Sequence, residues 1–122
     1  MNKPSVLIVE SNEWLGEQYE RVLRSKYKTT LAQNAVVAME IIDNIMPDVI
    51  LLDILLTGST AFTLLHELQS YGDTGAIPVI VCTSMTNEFS IEMLKPYGVK
   101  LMLDKTMITP ADLGNAVEKV LL

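Results

Sequence analysis

The chain has 122 residues, of which 49% are hydrophobic and 20% charged, with a formal net charge of −6. That balance suits one compact domain spanning residues 1–122 and excludes a disordered chain. An acidic surface with no basic run argues against nucleic-acid binding, and no apolar stretch is long enough to span a membrane.

The first strand candidate is 5–10, where Val6-Leu7-Ile8-Val9 runs into Glu10. A helix is expected over roughly 12–25, with Leu15, Tyr19, Val22 and Leu23 on one face. A second strand at 28–32 leads to a helix over about 35–45, capped by Asn34. The third strand, 48–53, ends at Asp53, and a third helix covers about 60–70. Pro47, Pro78 and the Gly72–Gly75 stretch read as loops. The fourth strand, 77–83, ends at Thr83 and is followed by a helix over about 87–95. The fifth strand, 100–104, leads into Lys105. The last helix runs from about 110 to 121, with Thr109 as N-cap, Pro110 at the first position and Asp112 in the first turn.

Strands one, three and four are almost continuously apolar, as strands buried on both faces should be. Five β-α units in succession predict an α/β, flavodoxin-like, doubly wound fold. The expected sheet is five-stranded and parallel, in the order 2-1-3-4-5, with helices on both faces.

Such sheets bind ligands at the C-terminal ends of their strands. Glu10, Asp53, Thr83 and Lys105 each close a different strand there. A strand-end carboxylate is a competent nucleophile toward phosphorus. Glu10 and Asp53 supply hard oxygen for Mg²⁺, while the Lys105 ammonium and the Thr83 hydroxyl suit the spread charge of a phosphoryl group. The set therefore predicts a phosphorylated carboxylate at Asp53, with Thr83 and Lys105 assisting.

These motifs resemble the receiver domain of two-component response regulators, along essentially the whole chain. Val-Leu-Ile-Val-Glu-Ser-Asn (6–12) is similar to the family's first strand and acidic pair. Pro-Asp-Val-Ile-Leu-Leu-Asp (47–53) is similar to the strand carrying the phospho-acceptor. Ile-Pro-Val-Ile-Val-Cys-Thr-Ser (77–84) resembles the strand ending in the hydroxyl switch residue, and 98–105 the one ending in the lysine. The intervals of 30 residues from Asp53 to Thr83 and 22 from Thr83 to Lys105 are those of the family.

The resemblance implies a CheY-like signalling module and not an enzyme. It implies phosphorylation of Asp53 by a sensor histidine kinase or phosphotransfer protein, and a downstream protein partner in the cytoplasm. Homodimerisation is left open. It also implies Mg²⁺ held by Glu10, Asp53 and the Leu55 backbone carbonyl, with Ser11 weak or acting through water.

Four departures accompany it. Ser11 stands where the family has its second acid, and Thr106 where it has a proline. Met102 stands where an aromatic residue swings inward, and Thr57 and Ala61 replace the usual proline and second glycine. Weak Mg²⁺ binding and a muted readout are the expected results. The alternative is a pseudo-receiver, an interaction scaffold that works without phosphorylation. An Asp-x-Asp phosphatase is disfavoured because position 55 is leucine, and no P-loop or Gly-rich dinucleotide turn is present.

Several other residues have plainer expected roles. Cys82 reads as a small core residue, and Ser11 equally as an N-cap. His66 is expected to be solvated, without a partner. Val36, Val37 and Ile54-Leu55-Leu56 fit an exposed surface poorly.

Overall fold

The computed structural model describes residues 3–54 and 61–122. Its strands are β1 (Ser5–Val9), β2 (Lys28–Ala32), β3 (Val49–Asp53), β4 (Val79–Thr83) and β5 (Val99–Asp104). Its helices are α1 (Glu13–Leu23), α2 (Ala35–Ile45), α3 (Ala61–Gln69), α4 (Gly72–Gly75), α5 (Ile91–Leu94) and α6 (Pro110–Leu121). The sheet is parallel throughout, in the order β2-β1-β3-β4-β5.

The order follows from burial. Every residue of β3 and β4 is buried, so both strands lie inside the sheet with helices on each face. Side chains alternate across the pleat. Leu7, Val9, Ile50, Leu52 and Val81 pack toward Ala38, Ile42, Leu64, Leu65 and Leu68 of α2 and α3. Val6, Ile8, Leu51, Ile80 and Cys82 pack toward Tyr19, Leu23, Leu113 and Val117 of α1 and α6. The β4–β5 pairing slips between Val79 and Ile80, so Lys100 is passed over and stays exposed.

Asn34 caps α2 by accepting from the Val37 N–H at 2.9 Å. Thr109 and Asp112 form a reciprocal capping box on α6, at 3.1 and 2.9 Å. The helix expected over about 87–95 is shorter. Ser90 caps α5, and the chain then tightens into a 3₁₀ turn over Lys95–Tyr97, which Gly98 ends at φ 85°.

Two further expectations need correction. The Gly72–Gly75 stretch forms one helical turn, because the Thr74 hydroxyl donates to the Leu68 carbonyl at 2.6 Å and buries there. Ile54, expected in a surface loop over the site, is instead buried in the core facing α2 and α3. Its neighbours Leu55 and Leu56 lie outside the described residues.

Candidate functional site

Four strand ends deliver the site. The Glu10 N–H bonds to the Ala32 carbonyl at 3.0 Å, which extends the β1–β2 ladder by one residue and fixes the direction of Glu10. Asp53 ends β3 opposite Cys82 of β4. Thr83 pairs with Asp104, and the Lys105 N–H donates to the Thr83 carbonyl at 3.0 Å. The lysine stem therefore starts beside the hydroxyl residue and reaches back across the sheet edge.

The Lys105 ammonium lies 2.7 Å from Glu10 Oε1 and 3.1 Å from Asp53 Oδ2. One cation thus bridges two carboxylates, and both acids are buried. Glu10 Oε2 accepts the Asn12 backbone N–H at 3.0 Å. Burial raises the Glu10 carboxyl above its ordinary range and outweighs the opposing pull of Lys105 and the Asn12 N–H. Burial alone would lower the Lys105 ammonium, but its bonds to Glu10 and Asp53 outweigh that and raise it. Lys105 is therefore a fixed positive charge at neutral pH. Thr83 is fully buried, and its Oγ1 accepts the Met85 N–H at 2.9 Å. That bond turns the chain out of β4 and leaves the hydroxyl hydrogen as the donor of the group.

Glu10, Asp53, Thr83 and Lys105 are thus brought together at one edge, as their strand-end positions predict. Ser11 is half-buried beside Glu10 but does not cap α1; the Asn12 side chain does, accepting from the Leu15 N–H at 3.0 Å. Leu55 lies outside the described residues. The loop after Lys105 closes on an Asx turn, in which Asp104 Oδ1 accepts from the Thr106 N–H at 2.9 Å and the Thr106 hydroxyl at 2.7 Å. Met102 is partly buried against the α2–α3 side of the core.

Two features went unread in the sequence. The Tyr19 hydroxyl is buried with no hydrogen-bond partner among the described residues. Burial, and then the proximity of Cys82, Glu10 and Asp53, push its phenol well above the ordinary value. Helical periodicity placed the ring but gave no sign of the isolated hydroxyl. His66 is exposed, yet its ring meets Tyr97 edge-on at 5.3 Å, within a series that continues through Phe62 to Phe89.

Two carboxylates on one edge are the right chemistry for a hard divalent cation. Among the described residues, however, no three Asp, Glu, His or Cys side chains gather to hold a metal. Glu10 and Asp53 are the described residues that would hold Mg²⁺, which would supply neutralisation of charge at the sheet edge.

A parallel 2-1-3-4-5 sheet with acid, acid, hydroxyl and lysine at its C-terminal edge is a doubly wound α/β domain with its candidate site where such sheets place one. The family model for the response regulator receiver domain matches residues 6–118. The chain belongs to this family, and is a receiver domain of two-component signalling.

It is 33% identical over 120 residues to the transcriptional regulatory protein BaeR of Escherichia coli O6:H1. That match covers 98% of this chain and 47% of BaeR, so the chain spans about half the length of this relative. The chemotaxis protein CheY4 of Vibrio cholerae has the same fold, with a TM-score of 0.88 at 19% identity, over 97% of this chain and 98% of that one. The receiver domain of the sensor histidine kinase PA1611 of Pseudomonas aeruginosa matches at a TM-score of 0.85 and 23% identity, over 96% of each chain. That structure carries magnesium in its active-site cleft.

Proposed function

We propose that Asp53 accepts a phosphoryl group from a histidine kinase or phosphotransfer protein, in a Mg²⁺-assisted reaction weaker than that of a site with a full acidic pair. A carboxylate oxygen of Asp53 attacks the phosphorus of a phosphohistidine. The P–N bond breaks, the imidazole leaves, and an acyl phosphate forms on Asp53. Mg²⁺ would supply neutralisation of the phosphoryl oxygens, held by Glu10 and Asp53 with the Leu55 carbonyl, and with Ser11 weak or acting through water.

The protein groups do the rest. Lys105 is already on Asp53 Oδ2, where charge accumulates on transfer. Thr83 can present its hydroxyl hydrogen to a phosphoryl oxygen, and any such move is felt at Met85, which it holds. The single observation that carries this reading is the Lys105 ammonium bridging Glu10 and Asp53.

The test is incubation with a small acyl phosphate donor and Mg²⁺, read by intact mass. One phosphoryl group should be added, and Asp53→Asn should abolish the addition. Modification that survives this substitution would assign another acceptor. If the protein stays unmodified at high Mg²⁺ but Ser11→Asp restores the reaction, the scaffold reading replaces this one.

A further inference from the structure

Residues 29–94 contain no lysine or arginine, but eight of the 15 acidic residues. All nine cations fall within 3–28 and 95–119. Helices α2 and α3, both inside 29–94, cover one face of the sheet, and α1 and α6 the other.

On the first of these faces, α2 and α3 leave a groove of about 260 Å³, lined by Ala35, Val36, Met39, Glu40, Asp43 and Glu67. Its floor is apolar and its rim carries three carboxylates. Among the described residues no cation pairs with any of the three. Val36 is 60% exposed and the adjoining Val37 37% exposed. At 60% exposure Val36 gains little from packing, and a β-branched residue has a poorer helix propensity than lysine or glutamate, so the fold gives little reason for a valine at this position.

Three classes of occupant can be compared. The rim does not fit a metal, since no three acidic, His or Cys side chains among the described residues gather to hold one. The volume is below the roughly 300–1,000 Å³ of ordinary small-molecule pockets. A groove between two helices, apolar below and acidic at the rim, matches an amphipathic helix with basic flanks.

We propose that the α2–α3 groove docks a basic amphipathic helix of a partner protein. An aliphatic side chain of the partner rests on Val36 and Met39, while its lysines or arginines meet Glu40, Asp43 and Glu67. This gives the downstream partner that the family resemblance implies a chemistry, and it requires no phosphoryl group on Asp53.

The probe is a synthetic helical peptide of leucine and lysine, titrated into ¹⁵N-labelled, unphosphorylated protein. Amide shifts should concentrate on α2 and α3. Glu40→Lys combined with Glu67→Lys should weaken binding by about tenfold or more. Glu17→Lys combined with Glu118→Lys changes the net charge equally and should weaken it far less. Val36→Ser, at an exposed position, should weaken binding several-fold with an unchanged circular dichroism spectrum.

Equal losses from the two charge reversals would reduce the effect to net charge and overturn the proposal. So would shifts centred on the apolar cleft of Val22, Ile108 and Leu113 between α1 and α6. Sedimentation showing that a second copy of the chain fills the groove would also overturn it. No phosphodonor is present, so failure here leaves the Asp53 reading untouched, and failure there leaves this one.

Discussion

Lys105 Nζ sits closer to Glu10 Oε1, at 2.7 Å, than to Asp53 Oδ2, at 3.1 Å. The shortest contact of the lysine is with the acid of the first strand, not with the proposed acceptor. A resident ammonium thus occupies the space between the same two carboxylates that a divalent cation would share.

Removing that ammonium leaves two buried acids facing each other. Lys105→Met should destabilise the fold by about 3 kcal/mol, the lower end of the cost of breaking a buried ion pair, because the lysine keeps some solvent contact. Adding Glu10→Gln should recover part of the loss, so the double variant is more stable than the sum of the singles. Urea unfolding of the four proteins measures this coupling. Strictly additive losses would show that the 2.7 Å contact carries no net energy.

Ser11→Asp should tighten Mg²⁺ binding. At an effective dielectric near 20, a unit charge pair about 4 Å apart is worth ~4 kcal/mol, and a water that refills the ligand position cannot replace that charge. Calorimetric titration is the measurement, with Trp14 on α1 as a second, fluorescent reporter. An unchanged affinity would place Ser11 outside the cation's shell.

Alkaline pH should weaken the fold in a definite window. Burial pushes the Cys82 thiol from its usual 9.0 up to about 12, so the folded state holds a proton that the unfolded chain releases above pH 9. Stability must therefore fall as pH rises from 9 toward 12. Lys105 acts in the same sense. Its raised ammonium contributes fully below the ordinary 10.5, and the contribution is lost as pH rises through the folded value. Urea midpoints taken across this range should drop, and Cys82→Ala should make the drop shallower. A Cys82→Ala curve parallel to the wild type would contradict the thiol's part in it.

Gly98→Ala should cost about 1–3 kcal/mol, the usual range for a strained backbone. Gly98 holds φ 85°, and a Cβ there would come within 2.7 Å of Gln69 Nε2. That amide donates to the Tyr97 carbonyl at 3.2 Å, so it cannot move away without losing a bond. Thermal unfolding reads the loss, and a change of melting point near zero would refute it.

Coupling between the site and partner binding should be weak. Met102, which stands where the resemblance places a switching aromatic, is partly buried, and a flexible thioether adapts to either packing. A ligand shifts an equilibrium only through its differential affinity for two states. Partner affinity measured with and without beryllofluoride should therefore change less than tenfold. A larger gain means more than ~1.4 kcal/mol of coupling and returns a two-state switch to this site.

The strands were legible because β1, β3 and β4 are buried on both faces and read as unbroken apolar runs. The ends of α2 and α6 were legible because Asn34 and Thr109 cap them through local chemistry. What escaped depends on contacts distant in sequence. Thr74 holds a turn in a glycine-rich stretch only because the Leu68 carbonyl lies beneath it. Ile54 is buried only because two helices cover the end of β3. The four site residues were visible as strand ends, but the preference of Lys105 for Glu10 over Asp53 was not, since side-chain reach leaves no trace in spacing. Ser11 was the cap expected for α1, but the entry geometry of the helix gives that role to Asn12.

The sheet order has a consequence for how the site comes into being. Val6 of β1 pairs with Val49 of β3, 43 positions later in the chain. Glu10 and Asp53 extend these two strands, so they meet only once that long loop has closed. Contacts of such sequence separation form late and slowly, since chain entropy is spent before any pairing returns it. The two-acid arrangement at the sheet edge thus depends on a contact of long sequence separation.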